Sequence, residues 1–579
     1  MENISSISYD SLTILNKDFK SGVTVLSPDK IESFYVYNWQ QKTVNDFDKS
    51  VTPKTETVDE LLVKTNKTNF LSSAVTTSNL PSQYGYLTTA TPKDKIDFSL
   101  PAKSTTRLYF KFKSPEVSGT YNGRVVIWDT KNNQNIAQFL VVINAIDKTL
   151  PQVETNNYKF GCYVNDRILK DGIKAPSSTP ENFISADLFT KRMTAVKDMG
   201  CNALVLRVSK ATDTVAMIKA AQTLKFSKGV WLEFRYLNSD NNEIKYKTLD
   251  VSNKDAVAQF KVLVREILNA ELADKTINIP ISFYGIDEAN GRGAAADKDQ
   301  NTENYILQVK NMLNYLGEEE NAIPAPNQGF NGSFTKDITA AMQPATYNYL
   351  MTNEDIRLHT NAPILNYYTP CNANMPGYDS CTTTKDLVSS YAADPASVPT
   401  KSTYYFQATR EQPLINRYLG GLGLVASKFK GYYLNVVSGF VAQADKSATL
   451  FSEDKLVGAQ KQNMLMYPAS DGFIPTVQSE SIRSGILDIK YYFAYGQIAE
   501  NFKTTCTTKE SYDSVLSWVQ KIGGWTNQSP TSTSLTASDI VANRYGLPTK
   551  DLEMMRNNME MLFATYSDKC GRPTLPSVK

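Results

Sequence analysis

A chain of 579 residues has room for two or three domains and a large buried core. With 41% hydrophobic and 21% charged residues and a net charge of +2, it reads as globular, with no electrostatic case for nucleic acid or an anionic membrane. No stretch approaches the ~20 apolar residues of a membrane span. The single histidine, His359, excludes zinc sites built on several histidines and leaves a His-dependent triad one candidate with no nucleophile motif beside it.

The start, Met1-Glu-Asn-Ile-Ser-Ser-Ile, lacks the basic-then-apolar pattern of a signal peptide. A chain not exported by that route, or one whose leader was removed, is expected. Residues 1–150 read as all-β. Ser33–Trp39, Thr106–Phe112, Gly123–Trp128 and Ile136–Ile143 are rich in β-branched and aromatic residues. Lys131–Asn135 is polar and joins the last two as a hairpin loop. Short strands with turns between them predict a sandwich, and Asp147–Pro151 reads as a linker.

From about residue 155 strands alternate with helices. Tyr158–Val164, Ala203–Val208 and Gly229–Tyr236 are the first three strands. A helix carrying Phe189, Met193, Val196 and Met199 on one face ends at Gly200, a second spans about 212–224, and a third aligns Val257, Phe260, Val264 and Ile267. The fourth strand is mostly apolar over Ile277–Ile286 and ends on two adjacent carboxylates, Asp287 and Glu288. The helix after it aligns Ile306, Val309, Leu313 and Leu316. The fifth strand is placed at Ala322–Pro326, the sixth at Pro363–Tyr368, the seventh at Thr403–Gln407 and the eighth at Gly431–Val437. Helices are read at Leu414–Phe429 and Ser479–Glu500. Serial strand-helix units predict a closed (β/α)8 TIM barrel over 151–503, with a helical C-terminal extension over 504–579.

The six cysteines, Cys162, Cys201, Cys371, Cys381, Cys506 and Cys570, include no CxxC pair, so no metal and no cofactor is expected. Cys162 and Cys201 fall near apolar strands and read as buried thiols; Cys371 and Cys381 share a loop in which a disulfide is one option.

In such a barrel chemistry sits at the carboxyl ends of the strands. Those ends gather Tyr163, Asn165, Arg235, Tyr236, Asp287, Glu288, Asn366, Tyr367, Tyr368, Gln407 and Asn435. Each one singly is explained by packing or a rim hydrogen bond. Together, tyrosines beside amides and carboxylates suit a sugar, since aromatic faces cover C–H groups and amides satisfy hydroxyls. Asp287 and Glu288 adjoin each other, whereas ordinary glycosidases set two carboxylates across the sugar. An adjacent pair suits the variant in which the sugar's own 2-acetamido group attacks the anomeric carbon. There one acid orients that group and the other protonates the leaving oxygen.

The stretch Tyr284-Gly-Ile-Asp-Glu-Ala resembles the strand and Asp-Glu dyad of glycoside hydrolase family 123. Gln412–Arg417, Lys430–Asn435, Leu465–Pro468 and Ser481–Asp488 follow the order of that family's barrel segment, and Lys113–Val125 is similar to its N-terminal domain. The resemblance implies a β-N-acetylgalactosaminidase working by the substrate-assisted retaining route, with Glu288 as general acid/base and Asp287 orienting the acetamido group. Tyr163, Asn165, Arg235, Tyr236, Tyr367, Tyr368, Gln407 and Asn435 are the expected glycan-binding residues. The chain departs from the family at Leu434 and Phe440, where relatives commonly carry tryptophans, and at Ala289, where proline often follows the dyad. These departures keep open a second expectation: a catalytically degenerate glycosidase-like protein with a carbohydrate-binding or structural role, a homo-oligomer or a component of a virus particle.

Overall fold

The computed structural model describes residues 8–27, 30–42, 55–64, 96–145, 150–152, 158–177, 182–245, 253–274 and 276–287 as runs, then segments 334–342, 364–365, 403–406, 430–434, 465–469 and 472–505 with isolated positions between them. The chain opens with β1 (Tyr9–Ser21), β2 (Thr24–Val25), β3 (Ile31–Lys42), β4 (Thr55–Val63), β5 (Phe98–Leu100), β6 (Arg107–Phe112), β7 (Gly119–Asp129) and β8 (Gln134–Ala145). One sheet has the order β2, β1, β7, β8, with β5 also on β1; the other has the order β4, β3, β6. Every pairing within these two sheets is antiparallel.

Alternation makes the core. Tyr121, Gly123, Val125 and Ile127 on β7 are buried, while Thr120, Asn122 and Arg124 between them are not. With Leu12, Ile14 and Phe19 of β1 and Ile31 of β3 they enclose one apolar cluster, and Tyr35, Leu108 and Phe110 of the smaller sheet pack on it. Tyr35 meets Phe98 at a ring separation of 5.7 Å. The hairpin expected at Lys131–Asn135 joins β7 to β8.

Beyond them come β9 (Lys159–Val164), β10 (Arg167–Ile168), β11 (Phe183–Ile184), β12 (Ala203–Val208), β13 (Val230–Leu237), β14 (Glu243–Lys245), β15 (Ile281–Asp287), β16 (Phe334–Met342), β17 (Ile364–Leu365), β18 (Thr403–Phe406), β19 (Gly431–Leu434), β20 (Met466–Ala469) and β21 (Gly472–Pro475). The described helices are α1 (Ala186–Asp198), α2 (Thr214–Thr223), α3 (Lys254–Ala273) and α4 (Val477–Thr505). Strands β9, β12, β13, β15, β16, β17, β18 and β19 pair in parallel, each with the next, and β19 pairs back on β9. The pairings therefore run in a ring.

Side chains separate its inside from its outside. Trp231 of β13 stacks on Tyr433 of β19 at 4.0 Å, although β12 and β9 lie between those strands. Two rings that far apart along the sheet meet only across the interior. Gly161 of β9 leaves room for this: a Cβ there would lie 2.1 Å from the Tyr433 ring. On the other face Phe234 of β13 and Phe283 of β15 meet Phe260 of α3 at 5.4 and 4.9 Å.

The helices follow from their caps and stripes. Ser185 caps α1 by accepting the Leu188 amide at 3.2 Å, and Phe189, Met193 and Val196 are buried beneath it. Gly200 then takes φ +108°, a left-handed conformation that favours glycine as the stop. Asn253 caps α3 in the same way, at 3.0 Å from the Ala256 amide. On α4, Ile482, Ile486 and Ile489 face inward, and Arg417 grips Asp488 with two bonds of 2.7 and 3.0 Å. Glu480, also on α4, joins the sandwich to the ring by accepting from Tyr109 Oη at 3.2 Å and Lys111 Nζ at 3.3 Å.

Two expectations change. The fifth ring strand is Phe334–Met342; Ala322–Pro326 lies outside the described residues, and prolines there could not donate to a ladder. Cys162 and Cys201 are wholly buried as expected but are joined as a disulfide, not held as thiols. Cys201 lies just before β12, which pairs with the strand carrying Cys162, and this brings their Cα atoms to 6.7 Å. The Cys371–Cys381 loop and the C-terminal extension past Thr505 lie outside the described residues.

Candidate functional site

With Trp231 inside the ring, alternation puts Glu233 and Arg235 of β13 inside as well. Arg207 stands opposite Glu233 in register on β12. Its Nε donates to Glu233 Oε2 at 3.2 Å, and Arg235 donates to Glu233 Oε1 at 3.1 Å. Arg207 also donates to the Asn165 side chain just past β9. Behind them Arg167 of β10 pairs with Glu243 of β14, both side chains wholly buried. The carboxyl ends of β9, β12 and β13, with β10 and β14 behind them, thus gather three arginines, two glutamates and an asparagine in one polar cluster.

Burial is costly for such charges unless each is paired, and here the pairing is incomplete. Arg235 is only 9% exposed, and its Nε has no hydrogen-bond partner among the described residues; the Glu243 carboxylate is 4.0 Å away, too far to accept. Burial pulls the Arg235 pKa down to about 10, against the opposing pull of Glu233. Tyr433, deeper in the ring, is also fully buried with an unpartnered hydroxyl, and burial pushes its pKa well up. Tyr163 lies beside it, edge-on at 6.4 Å. Polar atoms left unsatisfied in a buried interior are uncommon.

Of the residues expected at the site, the structure brings Tyr163, Asn165 and Arg235 together. Tyr236 falls on the opposite face of β13 with Leu232 and Phe234, toward α3, because neighbouring strand residues alternate; it is not part of the interior cluster. Asp287 is the last residue of β15, three beyond Tyr284, which pairs with Glu233, so its backbone sits at the carboxyl rim. It pairs with Ala341 of β16 across an irregular stretch of ladder. Glu288, Asn366, Tyr367, Tyr368, Gln407 and Asn435 lie outside the described residues. Leu434, at a position where a sugar platform would stand in family 123, is wholly buried on β19.

Arg207, Glu233 and Tyr433 were not anticipated. A signal was present: Leu232-Glu-Phe-Arg-Tyr236 sets two charges at alternate positions of an apolar strand, and such charges share one face. Among the described residues no group of acids, cysteines or histidines is placed to hold a metal, and no described helix is long and apolar enough to cross a membrane.

No family model matches this chain. No curated protein matches it either. Nor, then, does any family model support the family 123 resemblance. Solved structures similar to this chain include β-glucuronidases. Bacteroides uniformis beta-glucuronidase 2, bound covalently to cyclophellitol-6-carboxylate aziridine, is 11% identical with a TM-score of 0.33, covering 85% of this chain and 47% of its own. Ruminococcus gnavus beta-glucuronidase is 11% identical with a TM-score of 0.34, covering 66% of this chain and 60% of its own. The chain thus spans roughly half of these enzymes' length.

Proposed function

We propose that this chain is a glycosidase-type protein whose site opens at the carboxyl rim of the strand ring. One observation carries the reading. Asp287 ends a ring strand at the rim where buried Asn165, Glu233 and Arg235 and half-buried Arg207 form a polar cluster, with the Arg235 Nε unpartnered among the described residues. Glu233 already accepts from two arginines, so it is held as a charged structural anion. Asp287 and its neighbour Glu288 are, in this reading, the acids for chemistry. In this reading the chain divides into a sandwich over 1–150, a (β/α)8 barrel over 151–503 and an extension over 504–579. Glu288 protonates the leaving oxygen, and Asp287 orients the 2-acetamido group of a β-linked N-acetylhexosamine, galacto-configured by the family resemblance. Tyr163, Asn165 and Arg235 contact the glycan, with Tyr367, Tyr368, Gln407 and Asn435 completing the rim.

The test is turnover of a panel of aryl β-glycosides that includes N-acetylgalactosaminide, N-acetylglucosaminide and glucuronide. Release from an N-acetylhexosaminide, lost by a factor of about a hundred or more in Glu288→Gln and inhibited by a thiazoline, is the expected result. Turnover of the glucuronide alone would reject the acetamido route. Buried Leu434 in place of an aromatic platform favours a second reading, carbohydrate binding without hydrolysis. Glycan binding with no turnover across the panel would select it.

A further inference from the structure

Among the described residues, the sandwich has one long edge without a partner strand. β8 pairs with β7 on one side, and no described strand pairs with it on the other. An open edge is a template for another strand, and natural sheets blunt theirs with shortness, charge or proline. The other edges of this sandwich are blunted. β2 and β5, along β1, have two and three residues. β4 carries Glu56, Asp59 and Glu60 and bridges through Leu61 to Thr476. β6 carries Arg107 and Lys111. By contrast β8, Gln-Asn-Ile-Ala-Gln-Phe-Leu-Val-Val-Ile-Asn-Ala, runs for 12 residues with no charge and no proline.

Its side chains are exposed on both faces. Leu140 is 80% exposed and Val142 58% on the outer face, and Phe139 is 45% exposed at the rim of the core. Ala137, Val141 and Ile143 pack on the sandwich core only partly. From this we infer that β8 pairs antiparallel with β8 of a second copy of the chain, about a two-fold axis through the middle of the strand. The neutral sequence is what singles out a second copy. In an isologous contact each residue meets its own strand again, and a strand without charge sets no like charges opposite each other. The two five-stranded sheets become one continuous sheet, and the rim around Phe139 is covered.

The edge is about 40 Å long at ~3.4 Å per residue and about 10 Å thick. The strand contact alone therefore buries about 800 Å² in total, below a standard interface, and the dimer dissociates in the micromolar range. Sedimentation velocity of the full chain from about 1 to about 200 µM spans that range, and is expected to show a monomer passing to a dimer. Leu140→Lys with Val142→Lys places like charges across the axis and weakens dimerisation about tenfold or more. Val25→Lys, on the two-residue edge strand β2, leaves it unchanged. Hydrogen exchange on the unmodified chain reads the pairing directly: amides of residues 134–145 slow as concentration rises. A monomer throughout, a dimer indifferent to the double substitution, or a dimer whose β8 amides gain no protection would each overturn the inference, whether or not the chain hydrolyses a sugar.

Discussion

The sandwich and the strand ring solve the same problem in opposite ways. Both must pair every strand and bury an apolar face. The sandwich buries one face of each sheet and ends in edges, so it can leave charges at the surface: the Arg107–Asp59 pair leaves the arginine side chain 74% exposed, although Glu60 and Asp129 are buried. The ring pairs its last strand with its first, and α3 covers the outer face of β13 and β15. Both faces of β13 are consequently buried along its whole length. A charge on such a strand has nowhere to go but the interior, and this is how Glu233 and Arg235 came to lie inside. Closure removes the edge that invites a partner and creates an enclosed place where polar groups can be concentrated at a rim. The difference suits the two regions to the work proposed for each: recognition of a ligand by the ring, contact with another chain by the sandwich.

The sharpest way to break this comparison is to remove one charge from each region. Glu233→Gln leaves Arg207 and Arg235 facing each other in a buried site, and removing one partner of a buried pair typically costs about 3–5 kcal/mol. Asp59→Asn in the sandwich removes the partner of an exposed arginine and should cost less than about 1 kcal/mol. Urea unfolding of both variants measures the two losses. Equal losses would mean that the ring's interior charges are as well solvated as the surface pair.

A second contrast tests how far each region can yield. Gly161→Ala drives a Cβ to 2.1 Å from the Tyr433 ring, and Gly123→Ala drives one to 2.3 Å from the Phe19 ring. Overpacking of this kind costs about 1–3 kcal/mol. Tyr433 is backed by Trp231 at 4.0 Å inside a closed ladder, so it cannot step aside. Phe19 faces Phe112 at 6.3 Å, and Phe112 is 37% exposed, so the sandwich can open locally. Gly161→Ala is therefore expected near the top of that range and Gly123→Ala near the bottom, read as shifts of the thermal midpoint. The reverse order would show the ring to be the softer of the two.

The ring was more legible than the sandwich, for physical reasons. β12 begins and ends where its apolar run does, and β9 and β13 lie within a residue of the read limits, because a strand buried on both faces is a continuous apolar block. The stripe Phe189, Met193 and Val196 likewise marks α1. By contrast β1 and β4 were not foreseen. Their apolar residues are diluted by Asp10, Asn16 and Lys17 in one and by Glu56, Asp59 and Glu60 in the other, as befits strands with a polar face. β16 escaped for the same reason, with Lys336 and Asp337 inside it. At the site, Asp287 stood out because two acids end an apolar run. Glu233 was hidden because its importance lies in Arg207, which is far away in sequence and adjacent only once β12 and β13 pair in register.

The smallest expected effect lies on the outer layer of the ring. Asp274 at the end of α3 accepts from Thr276 Oγ1 at 2.6 Å, from the Thr276 amide at 3.1 Å and from Lys219 at 3.0 Å. The Thr276 hydroxyl first, then Lys219, lowers its pKa from 3.8 to about 2. A carboxylate depressed in the folded state binds fewer protons there than in the unfolded chain. Its contribution is therefore complete above pH 3.8, declines as pH falls and is gone below about pH 2. Asp274→Asn should lower the unfolding midpoint at pH 5 and converge with the parent chain at about pH 2. Convergence matters more than size, because Asp274 is solvated and its bonds are screened. A gap that stayed constant from pH 5 to 2 would mean that asparagine disturbs the end of α3 itself. The outer layer would then depend on the geometry of that turn, with the carboxylate's charge contributing nothing.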